Sequence, residues 1–311
     1  MAGGKRDNAI RFSGKGEFVG TIVRQEDFGG DQQVLVVELR GEGAECLGKA
    51  KAGQFVQVAC RELGDPRTAM PLLRRPLSLA AVCRQGERTI VELMYRVVGP
   101  GTRWLGHRRV GESVNLLGPL GQGFTFEQPK EAQAVLVGGG VGLPPLYLLA
   151  TQLSQAGYRN VVGFAGARTR EGFCGRVDWN LYDAARVLAP QPVLEQFARA
   201  GAGTILATDD GSGGFAGFVA AALDRYLDEQ AGGPAVWLYA CGPYGMLKAT
   251  AALAQRRQLP CQVCLEAQMA CGFGVCQSCA VPVRTAQEGQ RDYRLVCTHG
   301  PVFAAGMIIW D

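Results

Sequence analysis

The sequence predicts a multidomain protein: an antiparallel β-barrel, then an α/β domain with a Rossmann-like parallel sheet, then a small cysteine-rich domain. Three observations carry that expectation. Short β-branched runs separated by Gly, Pro and charged turns fill residues from about 17 to 127. Apolar strands alternate with helical patterns from about 132 to 258. Three cysteines then fall within residues 271–279, with a fourth at Cys297.

Composition bounds the function. The 311 residues, 47% of them hydrophobic, suffice for two domains, and 44 glycines imply many tight turns and close backbone approaches. A net charge of +4 with scattered basic residues offers no stripe for a phosphate backbone, so nucleic acid is not an expected partner. The opening stretch MAGGKRDNAIRFSGKGEF has no apolar core after its charges, and no run of eighteen apolar residues occurs, so no membrane span and a cytoplasmic location are expected. In that reducing compartment, eleven cysteines point to metal binding rather than to disulfides.

In the barrel block, GTIVRQ, QVLVVELR, QFVQVAC, TIVELMYRVV and ESVNLLG read as strands. LLRRPLSLA brings together Arg74, Arg75, Pro76 and Ser78; taken alone, it fits a surface strand start as well as a binding site. MYRVVGPGTRWLG shifts that balance. Gly99 and Gly101 flank a turn followed by Thr102, which offers backbone N–H groups to an anion, and Arg75 can hold a phosphate in a forked contact.

In the α/β block the first strand ends in GGGVGLPP, residues 138–145, a glycine-rich turn opening a helix, as a pyrophosphate site requires. Alone the motif is weak, because such glycines often serve packing. TDDGSGG after a strand at 204–208 and CGPYGM after one at 236–240 put glycines at two more strand ends, which favours a dinucleotide cleft. FAGFVAAALDRYL, residues 215–227, reads as helical.

Cys271, Cys276, Cys279 and Cys297 give C-x4-C-x2-C plus a distant fourth cysteine, the spacing of plant-type [2Fe–2S] ligation. Gly272 and Gly274 allow the loop to wrap a cluster with its N–H groups inward. The rival reading is a zinc ribbon pairing Cys261-x2-Cys264 with Cys276-x2-Cys279. It is less favoured, because Cys264 lies in an alternating, strand-like stretch where a thiol serves as a packing or surface residue.

RRPLSL, GPGT, GPLGQGF, GGGVGLPP, TDDGSGG, CGPYGM, ACGFGVCQSC and RLVCTHGPVF, in this order, resemble the electron-transfer subunits of dihydroorotate dehydrogenase B, members of the ferredoxin reductase superfamily with a C-terminal [2Fe–2S] domain. The resemblance covers nearly all of the chain after its first fifteen residues. It implies a tail over 1–15, an FAD-binding barrel over 16–128, an NAD-binding domain over 129–258 and a cluster domain over 259–311. It implies FAD held by Arg75, Pro76, Leu77 and Ser78, with Met94, Tyr95, Arg96, Gly101 and Thr102 completing the site. Ser78 would stand near the reactive part of the ring and is a catalytic candidate. Many superfamily members carry an aromatic at the position of Leu77, which leaves Tyr95 to cover the ring.

NAD would lie across Gly139, Gly140, Gly142 and Pro144, with Asp209 and Cys241, Gly242 and Pro243 near its ribose and nicotinamide; Cys241 is the second catalytic candidate. In AGARTREGF, Arg168 and Arg170 point to NADP, whereas Glu171 and the resemblance point to NAD, which is the expectation. The segment 169–203 is longer than the family carries, and no site residue is assigned within it. Electrons would enter singly through the cluster, reduce FAD and leave as hydride to NAD⁺. No block of the chain could house a dihydroorotate pocket, so the resemblance implies an FMN-bearing catalytic partner, in a complex of two plus two, serving pyrimidine biosynthesis. The alternatives are a related subunit of a ferredoxin:NADP oxidoreductase or sulfide dehydrogenase and, in another class, a zinc-bearing nucleotide-binding module.

Overall fold

The computed structural model describes residues 15–61, 71–285 and 290–310. The tail expected over 1–15 therefore lies, apart from Lys15, outside the described residues. β1 (Gly16–Gly29), β2 (Gln32–Arg40), β3 (Phe55–Val58), β4 (Arg75–Gln85), β5 (Arg88–Arg96) and β6 (Ser113–Leu120) close into an antiparallel barrel in the order β1-β2-β5-β4-β3-β6. Its interior is aliphatic. Leu35 pairs with Leu93 and Val37 with Val91 across β2 and β5, and Leu79 of β4 meets Leu93, all fully buried. Each such leucine stabilises the fold by roughly 1.5–3 kcal/mol. Helix α1 (Gly41–Leu47) packs Ala44 and Leu47 on the barrel and is pinned by the Thr89 hydroxyl, which donates to the Ala44 carbonyl at 2.7 Å. Helix α2 (Pro100–Gly106) follows β5.

The second sheet contains β7 (Gln133–Gly139), β8 (Val161–Ala167), β9 (Gly203–Thr208), β10 (Phe215–Ala216), β11 (Val236–Cys241), β12 (Cys261–Cys264) and β15 (Val302–Ala304), in the order β10-β9-β8-β7-β11-β12-β15. All neighbours run parallel except β12 and β15. Helices α3 (Leu143–Gln155), α4 (Glu195–Arg199), α5 (Val219–Glu229) and α6 (Tyr244–Arg256) connect the strands. Every residue of β7 is buried, as expected of a central strand covered on both faces. The chain steps outward from β7 through β8 to β9, then returns to place β11 on the other side of β7. That reversal opens a crevice at the carboxyl ends of β7 and β11.

The helix expected from residue 215 begins instead at Val219. Phe215 and Ala216 pair with β9, and Gly217 has φ +128°, a conformation that glycine alone adopts without strain. Two C-terminal strands, β12 and β15, extend the large sheet, while β13 (Ala280–Arg284) and β14 (Arg291–Leu295) form a separate hairpin after the cysteine loop. The barrel and sheet are joined by the Gln152 amide, which donates to the Ala50 carbonyl and accepts from Ala52 N–H, both at 2.9 Å. The long segment after β8 packs Phe173, Trp179 and Tyr182 together, and its backbone at Gly172 accepts a 3.3 Å bond from barrel residue Gln32. Among the described residues, no helix is long and apolar enough to cross a membrane.

Candidate flavin, nucleotide and iron–sulfur sites

One cavity of about 420 Å³ lies where the barrel meets the crevice of the parallel sheet. Strand β4 contributes Arg75, Pro76, Leu77 and Ser78 to its wall, and β5 contributes Met94, Tyr95 and Arg96, with Thr102 beside them. These are eight of the nine residues expected at the flavin, and the ninth, Gly101, lies under Arg75: a Cβ there would stand 2.8 Å from Nε. The two arginines divide their roles. Arg74 braces the barrel, donating to the Gln57 and Asn115 carbonyls and to Glu17, while Arg75 faces the cavity. Thr102 Oγ1 accepts from the N–H groups of Val98 and Gly99 at 3.0 and 3.2 Å, which shapes the turn around Gly101. Tyr95 is buried beside the cavity; its hydroxyl accepts a 3.2 Å bond from Gln25, and burial pushes its pKa up to about 12. It therefore stays a neutral, oriented wall at any working pH.

Cys241, at the carboxyl end of β11, lines the same cavity. Its in-register neighbour on β12 is Cys264, and the proximity of that thiol together with burial raises the Cys241 thiol well above its ordinary range, so that it stays protonated. Cys264 thus also lines the cavity, in place of the packing or surface role its alternating stretch suggested. Phe55, Glu266 and Met269 are further lining residues that no motif announced, and Pro301, inside RLVCTHGPVF, lines the cavity although no role was assigned to it. Burial raises the Glu266 carboxyl above its ordinary range.

The glycines of the first strand end make the crevice passable. A Cβ on Gly142 would overlap the Cys241 carbonyl, and one on Gly139 would come within 2.9 Å of Met246 Sδ. Gly140 and Gly242 have φ of +54° and +154°. Pro144 sits buried in the first turn of α3, and Pro243 precedes α6. Asp209 ends β9, exposed and two strands from β7, so it stands apart from the cavity that holds Ser78 and Cys241. Arg170 is drawn aside: its guanidinium lies 4.1 Å over the Trp179 ring and its N–H donates to Ser212 Oγ.

The cysteine loop turns through three left-handed residues, Gly272 at φ +84°, Gly274 at +93° and Gln277 at +58°. Cys276 N–H donates to Cys271 Sγ at 3.4 Å, and hydrogen bonds, that of Ser278 foremost, lower the Cys276 thiol to about 6. Cys279 and Cys297 are free and buried next to each other, and burial together with the neighbouring Cys279 raises the Cys297 thiol to about 12. Among the described residues no three His, Cys, Asp or Glu side chains gather closely enough for a single metal ion. A two-iron cluster spreads its four thiolates around a larger core, and this donor set of four sulfurs with inward backbone N–H groups fits it. The zinc pairing does not fit, since Cys264 is buried on β12, in register with Cys241, lines the flavin-side cavity and donates its thiol to the Gly53 carbonyl.

Comparison with known proteins decides the family. The chain is 38% identical over 294 residues to the dihydroorotate dehydrogenase B (NAD(+)) electron transfer subunit of Shouchella clausii, covering 93% of this chain and 96% of that one. It is 41% identical over 260 residues to the subunit of the same name from Geobacillus thermodenitrificans, covering 83% and 86%. The chain belongs to this family. Residues 266–309 match the iron–sulfur cluster binding domain of dihydroorotate dehydrogenase B, a span that contains all four cysteines. The fold is similar to a chain of an NADH-dependent reduced ferredoxin-NADP oxidoreductase described for flavin-based electron bifurcation, with TM-score 0.71, 26% identity, and coverage of 94% of this chain and 90% of that one. A ferredoxin reductase of carbazole 1,9a-dioxygenase shares the fold at TM-score 0.56 and 21% identity, over 78% and 66% of the two chains.

Proposed function

We propose that this chain is the electron-transfer half of an NAD-linked dihydroorotate dehydrogenase, carrying FAD on the barrel, NAD in the sheet crevice and a [2Fe–2S] cluster on Cys271, Cys276, Cys279 and Cys297. One observation carries the reading. A single cavity is walled by β4, by the Cys241 strand end and by residues 264–269, which run directly into the first cluster ligand. FAD, when bound, supplies the exchange between single electrons at the cluster and a hydride at nicotinamide.

The chain's own residues bind and orient. Arg75 and the Gly101 and Thr102 N–H groups face an anionic phosphate. Leu77, Met94 and Tyr95 would exclude water from the ring, and Ser78 and Cys241 line the one cavity in which flavin and nicotinamide would meet. The substrate is oxidised on a catalytic FMN-bearing partner, in a cytoplasmic complex of two plus two. The structural likeness to the ferredoxin-NADP oxidoreductase supports the shared superfamily, while the higher identity to the dihydroorotate dehydrogenase subunits favours pyrimidine synthesis.

The purified chain should show flavin and iron–sulfur absorption with iron and acid-labile sulfide in equal amounts; a colourless, zinc-bearing protein would end this reading. Phe273 and Val275 are exposed at the tip of the cluster loop, 42% and 73%, where single electrons must enter. Phe273→Asp would set an unpaired charge in the partner interface and weaken assembly by about 2–4 kcal/mol, roughly 30- to 1,000-fold in Kd. FAD, iron and NADH oxidation with an artificial acceptor should persist; unchanged affinity for the partner would remove the loop from the interface.

NAD should be preferred over NADP by at least roughly tenfold in kcat/KM, because Trp179 holds Arg170 away from a 2′-phosphate. Trp179→Ala should narrow the preference by a few-fold, the worth of an exposed cation–π contact of about 0.5–1 kcal/mol. A wild-type preference for NADPH would overturn the assignment.

A further inference from the structure

Gln57 occupies the middle of β3 between the apolar residues Val56 and Val58, and it is wholly buried. Its backbone carbonyl accepts a bond from Arg74, but neither its side-chain Nε2 nor Oε1 has a partner among the described residues. An unpaired amide in a barrel wall costs stability that a leucine at the same place would not. At the end of this side chain lies Gly272, the residue after the first cluster cysteine: a Cβ there would stand 2.5 Å from Nε2 and 3.0 Å from Cδ. Glycine at 272 therefore serves both its φ of +84° and the approach of the amide. On its other flank Gln57 is the in-register partner of Pro76, on the strand that walls the flavin cavity.

We propose that the Gln57 side-chain amide donates a hydrogen bond to sulfur at the Cys271 corner of the [2Fe–2S] site, tying the cluster loop to the flavin strand and raising the cluster's reduction potential. In this arrangement the cluster would satisfy an amide that no protein group among the described residues satisfies. N–H donors to sulfur stabilise the extra negative charge of the reduced cluster, so their number sets its potential. A donor rooted in the barrel rather than in the loop makes that tuning depend on the docking of the two parts.

This rests on the cluster reading of the four cysteines, which iron and sulfide analysis of the unaltered protein tests separately. The experiment compares the FAD- and iron-loaded protein with Gln57→Met, of similar length without the donor, and Gln57→His, which keeps an N–H, by potentiometric titration with electron paramagnetic resonance. In Gln57→Met the cluster should be about tenfold harder to reduce at a fixed poise, equivalent to about 59 mV for one electron, with a changed resonance signal. Gln57→His should stay near the unaltered value, and the flavin potential should not move in either. If Gln57→Met loses iron while Gln57→His keeps it at the original potential, the donor role stands. Equal cluster potentials in all three proteins, a shift confined to the flavin, or loss of iron from both variants would each overturn the proposal. An unaltered protein that binds no iron would overturn the cluster reading, and this one with it.

Discussion

Cys279→Ser should abolish the iron–sulfur centre while leaving most of the FAD in place. Cys279 is buried against Cys297, so its loss removes a sulfur ligand from a closed part of the site, where water cannot substitute. Removal of an outer hydrogen-bond partner of a metal ligand already costs roughly 10–100-fold in metal affinity, and removal of the ligand itself should exceed that. Cys276→Ser, at the exposed corner, should do the same with more residual binding. The flavin wall of β4 and β5 is built on other strands, and NADH should still bleach the flavin anaerobically. Iron at the original stoichiometry in both variants would remove these cysteines from the ligand set.

Gly142→Val should disable the nucleotide side with equal selectivity. The residue has an ordinary φ of −80°, so what forbids a side chain is space: its Cβ would overlap the Cys241 carbonyl and come within 2.5 Å of Gly242 Cα. The strand end carrying Cys241 must then move, and overpacking of this kind costs about 1–3 kcal/mol of stability. A displacement near 1 Å at a reacting group can lower a rate about 100-fold. Stopped-flow reduction of the flavin by NADH should slow by that order while FAD and iron contents hold. An unchanged rate would show that NAD does not cross this turn.

The cluster ligands were legible because a loop supplies three of them at fixed local spacing, the parallel sheet because apolar strands alternate with helical patterns, and its crevice because the segments that became β7, β9 and β11 are each followed by glycines. Arg75 through Ser78 could be read from a motif and its neighbouring turn. Gln57 could not: within QFVQVAC it looks like any polar residue of a half-buried strand, and only the return of the chain more than two hundred residues later brings Gly272 against it. Cys264 escaped for the same reason, since its partner Cys241 is fixed by sheet order and not by sequence distance. The early helix boundary at 215 failed because the apolar pattern continues through Gly217, whose backbone ends it. The segment after β8 folds around Trp179 rather than around a periodic face, and so gave no signal beforehand.

The most direct test of the whole account is anaerobic reconstitution of the FAD- and iron-loaded chain with the FMN-bearing partner purified from the same cell, following NADH formation from dihydroorotate and NAD⁺. The account predicts that neither protein forms NADH alone, that the mixture does, and that the Cys279→Ser chain fails in the mixture while still oxidising NADH with an artificial acceptor. NADH formation at an undiminished rate with the cluster-free chain would contradict it, because electrons would then be reaching the flavin by a route that bypasses the cysteine loop.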